Sequence, residues 1–150
     1  AIRQQRPPLL LLRKVRWIDK CSQHDPDSDP LLLWLNGGPG CSSMLGMLYE
    51  NGPLMFKPNS TEMFINPFAW NLRANVLYLE SPAGVGFSIG QNKSDLIAND
   101  TTTARDNLLA MRLFFLKFPG MKKNDFYITG ESYAGIYIPT LAKAILDFNE

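Results

Sequence analysis

Residues Asn124 to Gly135 read NDFYITGESYAG, and their order suggests a serine made reactive by its backbone. Phe126, Tyr127, Ile128 and Thr129 are aromatic or β-branched, which predicts a buried strand. Gly130 ends it in a tight turn, and the segment from Ile136 to Phe148 is predicted as helix, with Pro139 restarting or kinking it. Ser132 then stands on a strand-to-helix corner with its hydroxyl lifted above the sheet, the geometry of a nucleophile elbow. Such a corner cramps the backbone, so the residues two before and two after the serine must approach closely, which Gly130 and Ala134 permit. The N–H of Tyr133 would open the helix and face an oxyanion. The same residues also read as a glycine-rich turn whose serine merely caps a helix, since the strict pattern has glycine where Ala134 stands.

A second run, LLLWLNGGPGCSS from Leu31 to Ser43, is a continuous apolar stretch ending in a glycine loop. That suits a central strand covered on both faces. A glycine loop after an earlier strand is where hydrolases of this kind complete the oxyanion hole, and Gly38 is placed to do so. The alternatives are an ordinary turn or a phosphate loop, but Cys41-Ser42-Ser43 brings no lysine to a phosphate.

The motifs WLNGGPGCSS, ESPAGVGFS and TGESYAGIYIP, in this order, resemble the serine carboxypeptidases, most closely the animal lysosomal group called cathepsin A or protective protein. The resemblance runs from about Gln23 to about Leu146. It implies an α/β-hydrolase fold, a mostly parallel sheet flanked by helices and incomplete on its C-terminal side. Residues 23–150 would form the N-terminal portion of that domain, and residues 1–22 a divergent segment without its expected aromatic alternation. By the same resemblance Ser132 is the nucleophile, Gly38 and Tyr133 are the oxyanion donors, and Trp34, Asn36, Glu50 and Glu131 hold the C-terminal carboxylate of a peptide. Two carboxyl groups closing on a carboxylate cannot all be ionised, so one of Glu50 and Glu131 is expected to keep a proton and binding to favour acidic pH. On its own, Glu50 in MLYENGP also reads as a solvated residue at a helix end.

In this fold the triad runs in the order serine, acid, histidine. After Ser132 the sequence holds Asp147, inside the helix that follows the elbow, and no histidine. The one histidine, His24, lies in the turn-rich SQHDPDSDP on the wrong side of the serine. A serine without a base is a weak nucleophile at neutral pH. The expectation is therefore part of a longer serine-type carboxypeptidase acting through an acyl-enzyme. The rivals are an inactive truncated or partner-stabilising protein and a carboxypeptidase-like acyltransferase.

Composition sets limits. With 150 residues, 45% of them hydrophobic, and a net charge of +1, the chain offers no basic field for nucleic acid and no apolar run of membrane-spanning length. The basic-apolar start, AIRQQRPPLLLLRKVRW, could form a membrane-surface helix, but Pro7 and Pro8 disfavour a clean face. Three sequons, at Asn59, Asn92 and Asn99, are candidate glycan acceptors, with Asn99 matching the lysosomal members. A lysosomal or secreted location is implied, with a peptide as substrate and a homodimer or protective complex as possible assembly. The two cysteines allow one bridge, Cys21 to Cys41, or an unpaired buried Cys41. Their spacing suits no metal site, and no cofactor is called for.

The remaining elements follow from pattern. Asn75 to Glu80, NVLYLE, predicts a second buried strand whose following loop, AGVGFS, lines the same mouth of the sheet as Gly38 and Ser132. Ser42 or Ser43 is placed to cap a short helix through Tyr49, and Met63 to Ile65 to form a brief strand. Asp100 should cap a helix from Thr101 to Phe118, with Ala104, Leu108, Met111, Phe115 and Phe118 as its apolar stripe, widened by Leu109, Leu113 and Leu116.

Overall fold

The computed structural model describes the backbone of residues 16–150 and the side chains of residues 21–150. The main sheet has four strands in the order β1-β5-β2-β6: β1 is Arg16–Lys20, β2 Leu31–Leu35, β5 Asn75–Glu80 and β6 Phe126–Gly130. Strands β5, β2 and β6 are parallel, while β1 runs antiparallel to β5 with Arg16 opposite Glu80. A short antiparallel hairpin, β3 (Leu54–Phe56) and β4 (Met63–Ile65), stands apart.

The continuous apolar runs are the strands covered on both faces. Every residue of β5 is buried, and so are Leu31, Leu33, Trp34 and Leu35 of β2. Leu31, Leu33, Leu35, Leu77 and Leu79 pack on one face against the helices, while Trp34, Val76 and Tyr78 fill the other. Each such leucine contributes roughly 1.5–3 kcal/mol of burial, and the parallel register of β5, β2 and β6 puts their C-terminal ends along one edge.

Helix α1 (Asp100–Lys117) and helix α2 (Ala134–Asn149) cover the leucine face. The cap of α1 is Asn99 rather than Asp100. Its side chain accepts the Thr102 N–H at 2.9 Å while Thr102 Oγ1 accepts the Asn99 N–H, a reciprocal capping box. The inward face of α1 is also turned by one residue from the expected stripe. Thr103, Ala104, Asn107, Ala110, Met111 and Phe114 are buried; Leu108, Phe115 and Phe118 flank the core, and Leu116 faces solvent. Helix α2 begins at Ala134, and Pro139 sits inside it without a restart.

Two further expectations change. The helix expected after Ser42 is present, with Ser42 Oγ accepting the Met44 N–H at 3.1 Å as a cap does, but Gly46–Glu50 winds as a π-helical turn rather than an α-helix. The sheet also extends into the segment predicted as divergent, because Arg16–Lys20 pairs with β5. Residues 1–15 of that segment lie outside the described residues, and so does the membrane-surface reading of them.

Candidate active site

Parallel strands deliver their C-terminal ends to one edge, so the chain segments leaving β5, β2 and β6 must meet there. The register sets Leu35 beside Gly130, and the Glu131 N–H continues that ladder onto the Leu35 carbonyl at 3.2 Å. The next residue, Ser132, has φ 57°, a left-handed conformation uncommon for a side chain with a Cβ. The chain then turns into α2, with Ala134 and Gly135 N–H groups bonding back to Glu131 and Ser132 carbonyls at 2.9 Å. This is the expected elbow, and Ser132 is exposed on it.

Close approach explains the small residues. A methyl on Gly130 would lie 2.2 Å from the Leu35 carbonyl oxygen and 2.6 Å from Ala134 Cβ. Gly37, which sequence reading passed over, is as constrained: a methyl there would lie 2.4 Å from the Tyr133 nitrogen. The glycine loop therefore rests directly on the elbow. Gly38 follows with φ 107° and Gly40 with φ 90°, and a Cys41 N–H to Gly37 carbonyl bond of 3.0 Å closes the turn. Gly38 and Ser132 thus sit on adjoining strand ends. Tyr133 is the N-cap of α2, where an N–H has no intrahelical acceptor and the helix dipole favours negative charge.

Tyrosines brace this edge from α2. Gly40 N–H donates to Tyr137 Oη at 3.3 Å, and burial pushes the Tyr137 phenol above its ordinary range. Tyr133 donates to Asp100 Oδ1 at 3.1 Å, and that bond is the main cause of its own upward shift.

The four residues expected to bind a carboxylate come together around one amide. Trp34 Nε1 donates to Asn36 Oδ1 at 2.8 Å, as does the Gly46 N–H at 3.0 Å. Two donors on the oxygen fix the amide's orientation and turn its nitrogen toward acceptors. Asn36 Nδ2 donates to Glu50 Oε1 and to Glu131 Oε1, each at 3.0 Å. Trp34 and Asn36 are buried, whereas both glutamates reach the surface, so the pair faces outward next to Ser132. The π-helical turn is what carries Glu50 to this point, since it ends on Glu50 and its Asn51 cap accepts a bond from buried Tyr78 at 2.8 Å. Burial, and then the Glu50 charge, raise the Tyr78 phenol far above its ordinary value.

His24 and Asp147 lie elsewhere. His24 Nδ1 meets Asp29 at 3.2 Å in the turn before β2, at the opposite end of the strands from Ser132. Asp147 pairs with Lys143 at 2.8 Å, about 20 Å along α2 from its start. The cysteines do not bridge; Cys21 is exposed and Cys41 partly so. No helix among the described residues is long and apolar enough to cross a membrane.

A family model described as serine carboxypeptidase matches residues 17–150. The chain belongs to the serine carboxypeptidase family. It is 55% identical over 125 residues to the lysosomal protective protein of Mus musculus, covering 83% of this chain and 26% of that protein. It is 50% identical over 136 residues to serine carboxypeptidase 24 of Arabidopsis thaliana, covering 89% of this chain and 29% of that one. Among solved structures, Kex1(delta)p, a prohormone-processing carboxypeptidase from Saccharomyces cerevisiae, superposes with a TM-score of 0.76 at 32% identity over 90% of this chain and 30% of that one. The fold is thus the α/β-hydrolase fold of that family. The chain spans between a quarter and a third of the length of these relatives.

Proposed function

We propose that these residues form the nucleophile and the carboxylate clamp of a serine-type carboxypeptidase that removes single residues from peptide C-termini through an acyl-enzyme. The observation that carries the reading is the Asn36 amide bonded to Glu50 and Glu131 at 3.0 Å each, with Glu131 adjoining Ser132 in the chain. A substrate carboxylate entering there meets two acids, and the three groups attract one another only if at least one proton is retained. Binding then takes up a proton and favours an acidic medium, as in a lysosomal or secretory compartment.

Ser132 Oγ attacks the last peptide carbonyl, and the Gly38 and Tyr133 N–H groups receive the oxyanion. Collapse releases the C-terminal amino acid and leaves an ester on Ser132, which water hydrolyses. The proton acceptor is a histidine outside these residues, since His24 is held at the far end of the sheet. Asn59, Asn92 and Asn99 are exposed and serve as glycan acceptors, and a homodimer or a protective complex is the corresponding assembly.

The test is fluorophosphonate labelling of the longest expressed form of the protein. One adduct at Ser132, abolished by Ser132→Ala, is expected. A folded protein that stays unlabelled would overturn the enzyme reading in favour of an inert one, which the position of His24 favours for the 150 residues alone. Transfer of the acyl group to an added alcohol in preference to water would replace hydrolysis with acyl transfer.

A further inference from the structure

Glu80 ends β5 with no solvent exposure, and it is the only acidic or basic side chain among the buried residues described. Removing a carboxyl group from water costs several kcal/mol unless hydrogen bonds replace the lost solvation. No cation among the described side chains pairs with it; Arg16 stands opposite it in the β1 register. What it does have, among the described residues, is one donor for each oxygen. Ser42 Oγ donates to Oε1 at 2.7 Å and the Phe87 N–H donates to Oε2 at 2.9 Å.

Those donors come from two different loops at the rim of the site. Ser42 closely follows the glycine loop, and its Oγ also accepts the Met44 N–H at 3.1 Å. Ser43 beside it donates to the Leu79 carbonyl at 2.7 Å and accepts the Asn36 N–H at 3.2 Å. Consecutive hydroxyls thus staple the exit of the glycine loop to the last two residues of β5.

On the other side, the turn from Gly84 to Ser88 wraps the same carboxylate. Ser88 Oγ donates to the Glu80 carbonyl at 2.5 Å, and Gly84 N–H to the Ser88 carbonyl at 3.1 Å. Gly86, with φ 52°, lies so close that a methyl on it would fall 1.2 Å from Glu80 Oε2. Val85 in this turn also comes within 4.0 Å of where a Gly40 methyl would sit.

We infer that Glu80 is a positioning residue: its carboxylate locks the loop carrying Gly38 to the Gly84–Ser88 turn, through Ser42 on one oxygen and the Phe87 N–H on the other. The consequence for catalysis rests on the carboxypeptidase reading, but the lock itself does not. A carboxylate suits this place because both of its oxygens accept, and both neighbours donate. Glu80→Gln keeps the size but puts an NH2 group against one of the two donors. Ser42→Ala cuts the link to the glycine loop, together with the Met44 N–H bond to the same hydroxyl, and leaves the Phe87 N–H on the other oxygen.

The experiment uses the longest expressed form of the protein, with Ser42→Ala, Glu80→Gln and the double substitution. Backbone amide exchange across residues 37–42 should speed up at least tenfold in each single variant. The exchange of α1 and α2 should stay unchanged. For a blocked dipeptide with a free C-terminal carboxylate, kcat should fall about 10- to 100-fold, toward the loss seen on removing an oxyanion donor. KM should stay within about twofold, because the Asn36 clamp is untouched. The double variant should be no slower than the slower single one, as expected of groups acting through one contact.

Unchanged exchange in the glycine loop of both single variants would overturn the lock. So would losses that multiply in the double variant. Absence of any turnover in the unsubstituted protein, with loop exchange still accelerated in the variants, would instead sink the carboxypeptidase reading and keep the lock.

Discussion

Replacing Gly37 by alanine tests whether the loop and the elbow form one rigid unit. The added methyl would lie 2.4 Å from the Tyr133 nitrogen, 2.8 Å from the Glu131 carbonyl oxygen and 3.0 Å from Ser132 Cβ. The first two atoms are backbone and the third is bonded to it, so no flexible side chain can yield. The loop and the elbow must part by on the order of 1 Å to reach ordinary contact. The Gly38 and Tyr133 donors then no longer converge on one oxyanion, and a misplacement of about 1 Å is worth about 100-fold in rate, or roughly 2.7 kcal/mol of barrier.

Overpacking of this kind also destabilises by about 1–3 kcal/mol, so the labelling rate of Ser132 with a fluorophosphonate should be measured well below the melting temperature. Gly120→Ala is the control, because a methyl there meets nothing within 4 Å. Gly37→Ala is expected to label about 100-fold more slowly while Gly120→Ala labels normally. A Gly37→Ala rate within threefold of the parent would refute the idea that loop and elbow are in rigid register.

Asn36→Leu keeps the branched shape and heavy-atom count but removes the amide that bridges Glu50 and Glu131 and strands the Trp34 Nε1–H and the Gly46 N–H; a KM at least tenfold higher for free-carboxylate peptides is expected in steady-state kinetics, with about 1–3 kcal/mol lost per orphaned donor in urea unfolding. Asn99→Ala removes the α1 cap and should lower stability by about 1 kcal/mol in thermal melts of deglycosylated protein, while Asn99→Asp should keep the cap and lose any glycan by mass. The Ser22 hydroxyl, 2.5 Å from Asp29, is the main cause holding the Asp29 carboxyl below its ordinary value. A depressed acid stabilises the fold above its unfolded pKa and loses that effect as pH falls through its folded one. Ser22→Ala should therefore move the acid-unfolding midpoint to higher pH, and an unmoved midpoint would count against this role.

What could be read from the chain was whatever depends on local order. Strands β2, β5 and β6 are continuous apolar runs, and the elbow is set by Gly130 and Ala134 around one serine, so the meeting of Gly38 and Ser132 followed once those strands were parallel. What escaped depends on partners distant in the chain. Strand β1 was missed because a five-residue strand containing Arg16, Asp19 and Lys20 has no period until β5 lies beside it. Glu80 read as the end of an apolar run, and only the two loops folding over it give its carboxylate a task. Gly46–Glu50 was expected as an α-helical turn, since the sequence carries no sign of the wider turn that brings Glu50 to Asn36. The face of α1 was misjudged by one residue because Thr103 and Asn107 are polar yet buried, Asn107 receiving the Ser81 hydroxyl at 2.6 Å.

The reading of the Asn36, Glu50 and Glu131 cluster as a grip on a chain end is tested most directly by one comparison. The longest expressed form of the protein is incubated at acidic pH with a peptide ending in a free carboxylate and with the same peptide amidated. Release of the last residue from the first, little from the second, and none from either by Ser132→Ala is expected. Equal cleavage of both peptides, or cleavage at an internal bond, would contradict it.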